Sequence, residues 1–262
     1  MEQKKFASRP IGVFDSGLGG ISVLAALRGV LPNEDFIYYG DAANAPYGDR
    51  SEAEVLALTL RAAEHLVSQN IKALVIACNT ATSAAVTELR RRYAFPIIGM
   101  EPALKPAAQV CGNRVLVMAT QATLRQQKFA LLLKTWSNIV KVNTLPCPGL
   151  VELIEGGGPD DPRILPYLKA LLQPYVGKVD AVVLGCTHYP FVQEQIRTVL
   201  GNVAVFDGRT GTARQLICRL KEEHLLRNEH RGSVILQSSN PEALPLASLL
   251  LEREQKERSN EV

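Results

Sequence analysis

A chain of 262 residues is long enough to fold as one large domain or as two medium ones with substantial cores. Hydrophobic residues make up 47% of the chain and charged residues 21%, which is typical of globular proteins and excludes disordered and fibrous classes. The 29 basic and 26 acidic residues are interspersed, so the net charge of +3 does not indicate nucleic acid as a partner.

Short apolar runs alternate along the chain with longer stretches of helical period. These runs predict strands at residues 11–14, 36–39, 73–76, 97–98, 115–118, 181–184 and 203–206. Their nearly continuous apolar character indicates parallel strands covered on both faces. The sequence therefore predicts an α/β protein with mainly parallel sheets, in which ligands bind beyond the carboxyl ends of the strands.

The helix after the second predicted strand has a clear start. Ser51 and Glu54 have the spacing of a capping box, in which each side chain bonds the other residue's backbone N–H. The apolar positions that follow share one helical face, which predicts a core-facing stripe: Val55, Leu58, Ala62 and Leu66.

Two turns of the chain form a weak internal repeat. The segment 73–82 ends a strand with Cys78, and the segment 181–190 ends a strand with Cys186, 108 residues later. The turns after the strands at 11–14 and 115–118 also correspond. The sequence therefore predicts two related halves that carry cysteines at matched positions.

The apolar stretches and the cysteines indicate the cellular compartment of the protein. No apolar run has the length of a signal peptide or a membrane span, so we expect a cytoplasmic protein that does not bind membranes. The five cysteines include no C-x-x-C pair, which argues against a disulfide framework or a structural zinc site. We expect free thiols, of which three behave as small buried hydrophobic residues: Cys111, Cys147 and Cys218.

The common cofactor motifs are missing from the sequence. Residues 17–20 are glycine-rich and follow a strand, but Ser22 stands where a dinucleotide fingerprint needs its third glycine. There is no triphosphate-binding loop, and the four histidines lack paired zinc spacing. We therefore expect no cofactor and no metal ion, and chemistry that side chains carry out alone.

Cys78 and Cys186 are the candidate reactive groups. Cys78 precedes Asn79 and Thr80, which can cap a helix that begins near Ala81. Unpaired N–H groups at a helix start favour a thiolate, so a cysteine there can act as a base. For either cysteine alone, a buried strand-end residue is an equally good interpretation. The matched pair favours function for both.

Asp15 and His188 are candidates with competing interpretations. Asp15 follows a strand and suits either a helix cap or a functional carboxylate. His188 lies two positions after Cys186, where it suits either a polar residue in a tight turn or an acid–base partner of the thiol.

Together these segments resemble the signature of the glutamate racemase family. The resemblance is carried, in chain order, by residues 15–20, residues 41–48, residues 77–81 and residues 185–190. It extends from about Ile11 to Asp207, with residues 120–123 and Glu152 also similar to family positions. Gln126 and the pair at 208–209 depart from the family pattern.

The resemblance implies roles for individual residues. Cys78 and Cys186 correspond to two catalytic thiols, Asp15 and His188 to their acid–base partners, and Glu152 to a further catalytic residue. The implied substrate-binding residues are Asp15, Ser16, Tyr47, Gly48, Asn79, Thr80, Thr123, Thr187 and His188. Hydroxyls and backbone N–H groups at helix starts are natural ligands for the carboxylates of an acidic amino acid.

The resemblance also implies an architecture and an activity. It implies two pseudo-symmetric doubly wound α/β domains with the active site in the interdomain cleft. The first domain consists of residues 1–98 and 209–262, and the second, inserted domain of residues 99–208. The implied activity is cofactor-independent interconversion of L- and D-glutamate, which supplies D-glutamate for peptidoglycan synthesis. Glutamate is the expected small-molecule partner. The sequence is also compatible with a homodimer.

Racemisation demands two acid–base groups, because one proton leaves one face of the α-carbon and another arrives on the opposite face. One group must be a thiolate while the other is a thiol. Hydrogen bonds to the substrate carboxylate must also stabilise the carbanionic intermediate.

Three alternatives stay open at this point. The chain could be an aspartate racemase or another two-cysteine isomerase, although His188 favours glutamate, since aspartate racemases tend to have an acidic residue there. It could be a binding protein for acidic amino acids that does not interconvert them. It could also be a thiol-redox protein, which would need its cysteines close enough to form a disulfide.

Overall fold

The computed structural model of the chain describes residues 2–110, 114–228 and 231–260. These residues form two compact units, residues 1–100 with 209–262 (unit 1) and residues 101–208 (unit 2). Within the described ranges, no helix is both long enough and apolar enough to cross a membrane.

Strands and helices alternate through both units. The strands are β1 (Ile11–Asp15), β2 (Phe36–Gly40), β3 (Ala73–Ile76), β4 (Ile97–Gly99), β5 (Arg114–Ala119), β6 (Lys141–Pro146), β7 (Ala181–Leu184), β8 (Ala204–Asp207) and β9 (Val234–Ser238). The helices are α1 (Glu2–Ala7), α2 (Gly20–Val30), α3 (Glu52–Val67), α4 (Asn79–Arg92), α5 (Leu104–Val110), α6 (Gln121–Arg125), α7 (Gln127–Trp136), α8 (Leu150–Gly157), α9 (Ile164–Leu172), α10 (Gln193–Leu200), α11 (Arg209–Glu222) and α12 (Leu244–Asn260).

Unit 1 is built on a five-stranded parallel sheet with the order β4-β3-β1-β2-β9. In its register Ile11 pairs with Phe36 on one side and with Ala73 on the other. β1 and β3 are buried along their whole length, as expected for strands with helices over both faces. Helices α3 and α4 pack over one face, while α2 packs with α11 and α12.

Unit 2 has a four-stranded parallel sheet with the order β6-β5-β7-β8. Val115 of β5 pairs with Ala181 of β7, and both strands belong to the buried core. Helices α5 and α7 contribute Leu104 and Phe129 to the same apolar cluster.

The two sheets have equivalent topologies. In each, the first strand is central, the third lies beside it and the fourth lies outside the third, so β1–β4 match β5–β8. This arrangement confirms the predicted fold class of two related α/β halves with parallel sheets. Unit 1 differs by the additional strand β9, which follows the whole of unit 2 in the chain.

Local sequence signals account for several of these elements. The predicted capping box is present in both directions, because Ser51 Oγ accepts from the N–H of Glu54 and Glu54 accepts from the N–H of Ser51. The four positions predicted to face the core from α3 are all buried: Val55, Leu58, Ala62 and Leu66.

Other expectations were wrong or lie outside the described residues. Strands β6 and β9 were not predicted, because both are edge strands whose side chains are largely exposed or half-buried. Cys218 was expected to be buried but is exposed, since α11 turns Ala213, Leu216 and Leu220 toward the core and Cys218 away from it. Cys111 lies outside the described residues.

Candidate active site

The thiol of Cys78 lies where β3 ends and α4 begins. Cys78 is the N-cap residue of α4, and its Sγ accepts the backbone N–H of Ala81 at 3.4 Å. The hydroxyl of Ser16 donates to the same sulfur at 3.4 Å. Two donors therefore point at one sulfur atom, an arrangement that stabilises negative charge on it.

Asp15 ends the neighbouring strand β1, and Ser16 begins the turn that follows it. Asp15 is fully buried, and its Oδ2 accepts the backbone N–H of Gly17 at 3.0 Å. Two glycines make room for this turn: a Cβ on Gly20 would lie 2.5 Å from Cβ of Asp15, and one on Gly40 would lie 2.4 Å from the carbonyl oxygen of Gly17. The close packing of the turn thus depends on residues without side chains.

Tyr47 belongs to the same group of residues. It is 1% exposed, and its hydroxyl donates to Asp41 Oδ2 at 2.7 Å. Burial raises the pKa of Tyr47, and so do the hydrogen bond and charge of Asp41 and the nearby charges of Cys78 and Asp15. The phenol therefore stays protonated beside the thiol. Gly48 follows, half-buried, in a 3₁₀ turn.

Asn79 and Thr80 are the first two residues of α4, and both are buried. The amide nitrogen and oxygen of Asn79 have no hydrogen-bond partner among the described residues. A buried polar group without a partner costs roughly 1–3 kcal/mol, so an unpaired amide beside Cys78 indicates a place for a polar ligand.

In unit 2, Cys186 follows β7 and contacts His188. Its Sγ lies 3.7 Å from His188 Nδ1, and His188 Nε2 lies 2.6 Å from Glu155 Oε1. Burial alone would lower the pKa of His188, but its hydrogen bonds with Cys186 and Glu155 outweigh that effect and raise the pKa well above 6.5. The thiol, the imidazole and the carboxylate thus form a connected acid–base chain.

Two buried threonines lie at the carboxyl ends of the central strands of unit 2. Thr187 directly follows Cys186 and is 3% exposed. Thr123 lies in α6, after β5, where its hydroxyl accepts from the hydroxyl of Thr120 at 3.0 Å. Because β5 and β7 are paired neighbours, these residues belong to one edge of the sheet.

The structure brings Glu155, and not Glu152, to His188. Both glutamates lie on α8, but Glu152 is exposed, whereas Glu155 contacts His188. Sequence analysis missed Glu155. No local pattern in the sequence points to it, because Glu155 and His188 lie on separate elements and are 33 positions apart.

Cys147 is a buried thiol near Cys186. Burial raises its pKa to about 12, which leaves it protonated and unreactive at neutral pH. The expectation that Cys147 behaves as a small buried hydrophobic residue is therefore confirmed.

The predicted residues thus fall into two groups. Unit 1 brings together Asp15, Ser16, Tyr47 and Cys78, with Asn79 and Thr80 next to Cys78 in the chain. Unit 2 brings together Cys186 and His188, with Glu155 added and Glu152 turned outward. In the ranges that the structure describes, no group of three or more His, Cys, Asp and Glu side chains is arranged to hold a metal ion.

Comparison with known proteins places this geometry in a family. The model of the Asp/Glu/Hydantoin racemase family matches residues 22–216. A glutamate racemase of Clostridium botulinum (strain Langeland / NCTC 10281 / Type F) is 49% identical over 235 residues, which cover 88% of this chain and 91% of that protein.

Solved structures agree with the sequence match. Glutamate racemase from Thermus thermophilus, in complex with β-chloro-D-alanine, has a TM-score of 0.77 and 38% identity, and the match covers 94% of this chain and 93% of the other. Glutamate racemase from Francisella tularensis, in complex with D-glutamate, has a TM-score of 0.82 and 30% identity, and the match covers 94% of both chains.

Proposed function

Because the chain belongs to the Asp/Glu/hydantoin racemase family, we propose that it interconverts L- and D-glutamate through the thiols of Cys78 and Cys186. The observation that carries the proposal is the equivalent position of the two cysteines. Each follows the strand that lies beside the central strand of its sheet. Glutamate is the proposed substrate because the similar proteins are named for it.

In the proposed reaction, one thiolate removes the α-proton, and the electron pair of the broken C–H bond stays on the substrate. The other thiol then delivers its proton to the opposite face of the α-carbon. The two sulfur atoms end with exchanged protonation states, and the reverse reaction uses them in the opposite roles.

The partners of Cys78 suit a thiolate that forms and disappears. The hydroxyl of Ser16 and the N–H of Ala81 donate to the sulfur at 3.4 Å each, so the negative charge is stabilised without a change of position. The charges of buried Asp15 and of Cys78 both raise the pKa of Tyr47, so Asp15 lies near this thiol.

The partners of Cys186 suit proton exchange through an imidazole. His188 faces the sulfur through Nδ1 and is oriented by Glu155 through Nε2. His188 can therefore accept the proton of Cys186 or return it, while Glu155 stabilises the imidazolium form. In this mechanism Glu155, and not Glu152, is the carboxylate partner.

Polar groups at the helix starts are the proposed ligands of the substrate carboxylates. They are Ser16, Asn79, Thr80, Thr123 and Thr187, with the main chain of Tyr47 and Gly48. The unpartnered amide of Asn79 supports this assignment, because a bound carboxylate or ammonium group would satisfy it.

The test is to incubate purified protein with L-glutamate, without any added cofactor, and to follow the optical rotation or the appearance of D-glutamate by chiral chromatography. We expect racemisation from both enantiomers. Cys78→Ala and Cys186→Ala should each abolish nearly all of it while the circular dichroism of the fold is unchanged.

A single cysteine variant with near-normal turnover in both directions would refute the two-thiol mechanism. Faster racemisation of aspartate than of glutamate would instead assign the protein to the aspartate alternative. Family membership speaks against the binding-protein and thiol-redox alternatives, because this is a family of racemases. We further propose that the reaction takes place in the cytoplasm and supplies D-glutamate for peptidoglycan.

A further inference from the structure

The loop after β2 contains a buried carboxylate that the mechanism above does not use. Asp41 is 4% exposed and follows Gly40, the last residue of β2. Its Oδ2 accepts from the hydroxyl of Tyr47 at 2.7 Å, and its two oxygens accept from Asn44 Nδ2 at 2.9 and 3.1 Å. Asp41 therefore ties together two later residues of its own loop.

The hydrogen bond to Asp41 determines what Tyr47 can offer a substrate. The ring is 1% exposed and the phenol is held protonated, so its hydroxyl proton is directed at Asp41. The Tyr47 hydroxyl thus donates its proton to Asp41 and not to a substrate. Only the main chain of Tyr47 and Gly48 is left to contact a ligand beside Cys78.

The outer side of the loop is held by the segment that follows β9. Ser239 Oγ accepts the N–H of Ala43 at 2.9 Å, and the N–H of Ser239 donates to the carbonyl oxygen of Gly40 at 3.0 Å. The loop is therefore fixed from within by Asp41 and from outside by Ser239. Both contacts lie on the short stretch between β2 and Tyr47.

We propose that Asp41 is a positioning residue for the racemase site. Its carboxylate fixes the Tyr47 ring, and the ring fixes the main chain at residues 47–48 beside Cys78. This inference rests on the proposed function. It predicts that loss of Asp41 weakens substrate binding more than it slows proton transfer, since the thiols keep their own partners.

The kinetic test compares Asp41→Ala, Asp41→Asn and Tyr47→Phe. Hydrogen bonds to charged groups contribute enough that Asp41→Ala should raise KM for both enantiomers roughly tenfold to a hundredfold, with a smaller fall in kcat. Asp41→Asn keeps an acceptor for Tyr47 and should recover much of the KM. The double variant Asp41→Ala/Tyr47→Phe should be little worse than Asp41→Ala alone, because both changes remove one interaction.

Asp35 provides a matched control at the other end of β2. Like Asp41, its carboxylate holds a neighbouring segment of the chain, here through Ser233 and Arg227, although Asp35 is only partly buried. Asp35→Ala should lower stability and leave KM unchanged. If Asp41→Ala lowers the melting temperature as Asp35→Ala does and leaves KM unchanged, Asp41 is only a structural residue.

A second readout does not depend on activity. Cys78 is 6% exposed, so its alkylation by iodoacetamide, followed by peptide mass spectrometry, reports how firmly the surrounding loop is held. We expect Asp41→Ala and the milder Ser239→Ala to speed alkylation of Cys78 several-fold, and Asp35→Ala to leave it unchanged. Unchanged alkylation in both loop variants would overturn the proposal, whereas a wild-type protein that fails to racemise glutamate would overturn only the proposed function.

Discussion

His188 gives the site its clearest pH dependence. Its pKa is raised well above 6.5 in the folded protein, because its bonds with Cys186 and Glu155 outweigh the effect of burial. A group with a raised folded pKa stabilises the fold fully below its unfolded pKa and loses that contribution as the pH rises through the folded value. The contribution of His188 is therefore largest below about pH 6.5 and declines at alkaline pH.

The prediction is tested by urea unfolding of the wild type and His188→Asn. The difference in free energy of unfolding between them should be larger at about pH 6 than at about pH 9. A difference that grows with pH would show that the folded pKa of His188 is lowered, contrary to the contacts around it.

Single residues were predictable from sequence where the chain itself places them together. Asp15 ends β1, Cys78 lies two positions after β3, and His188 lies two positions after Cys186, so strand prediction alone brought them to the right edge of a sheet. Glu155 reaches His188 from a separate helix, 33 positions away in sequence. No local pattern encodes such a contact, and the family resemblance pointed to Glu152 instead.

At the scale of elements, the strand β9 is held beside β2 by the hydrogen bonds of a charged residue, Asp35, as well as by backbone pairing. Asp35 accepts from the backbone and hydroxyl of Ser233 and from Arg227. Burial opposes ionisation of Asp35, but these bonds prevail and lower its pKa from 3.8 to about 2. Its stabilising effect is therefore present above about pH 3.8 and is lost as the pH falls toward 2.

We expect Asp35→Ala to lower the free energy of unfolding by about 1–2 kcal/mol near neutral pH, after allowance for partial solvent screening. Calorimetry from about pH 7 to about pH 3 should show the gap to the wild type narrowing as the medium is acidified. A gap that stays constant would show that the charge of Asp35 is not what fastens β9.

Strand β9 also marks the limit of sequence analysis at this scale. The central strands were predictable because burial on both faces demands continuous apolar runs, as in β3 and β7. An edge strand has one paired side and tolerates polar residues, so β6 and β9 carry no such run. Their places in the sheets are fixed by pairing with distant strands.

For the whole molecule, the proposal of one catalytic thiol in each of the two equivalent units predicts a distinctive isotope pattern. If one sulfur takes the α-hydrogen and another supplies its replacement, product formed in heavy water carries deuterium from the first turnovers. Recovered substrate should be almost free of deuterium at that stage.

Mass spectrometry of both enantiomers at low conversion makes the measurement. Cys78→Ser and Cys186→Ser, which retain a polar group, serve as slow controls. Early product that retains the original α-hydrogen would mean that a single base serves both faces.

The unlike surroundings of the two thiols have a thermodynamic consequence. Cys78 accepts hydrogen bonds from a hydroxyl and a backbone N–H, whereas Cys186 contacts an imidazole. The two enantiomers of the substrate nevertheless have equal free energies in water. Detailed balance then forces kcat/KM to be identical for the two enantiomers, in the wild type and in every variant. The asymmetry can only appear as equal-fold differences in kcat and in KM. The enantiomer with the higher kcat must therefore also have the higher KM. Asp15→Asn and His188→Asn should shift that balance in opposite senses, which progress curves begun from each pure enantiomer would reveal.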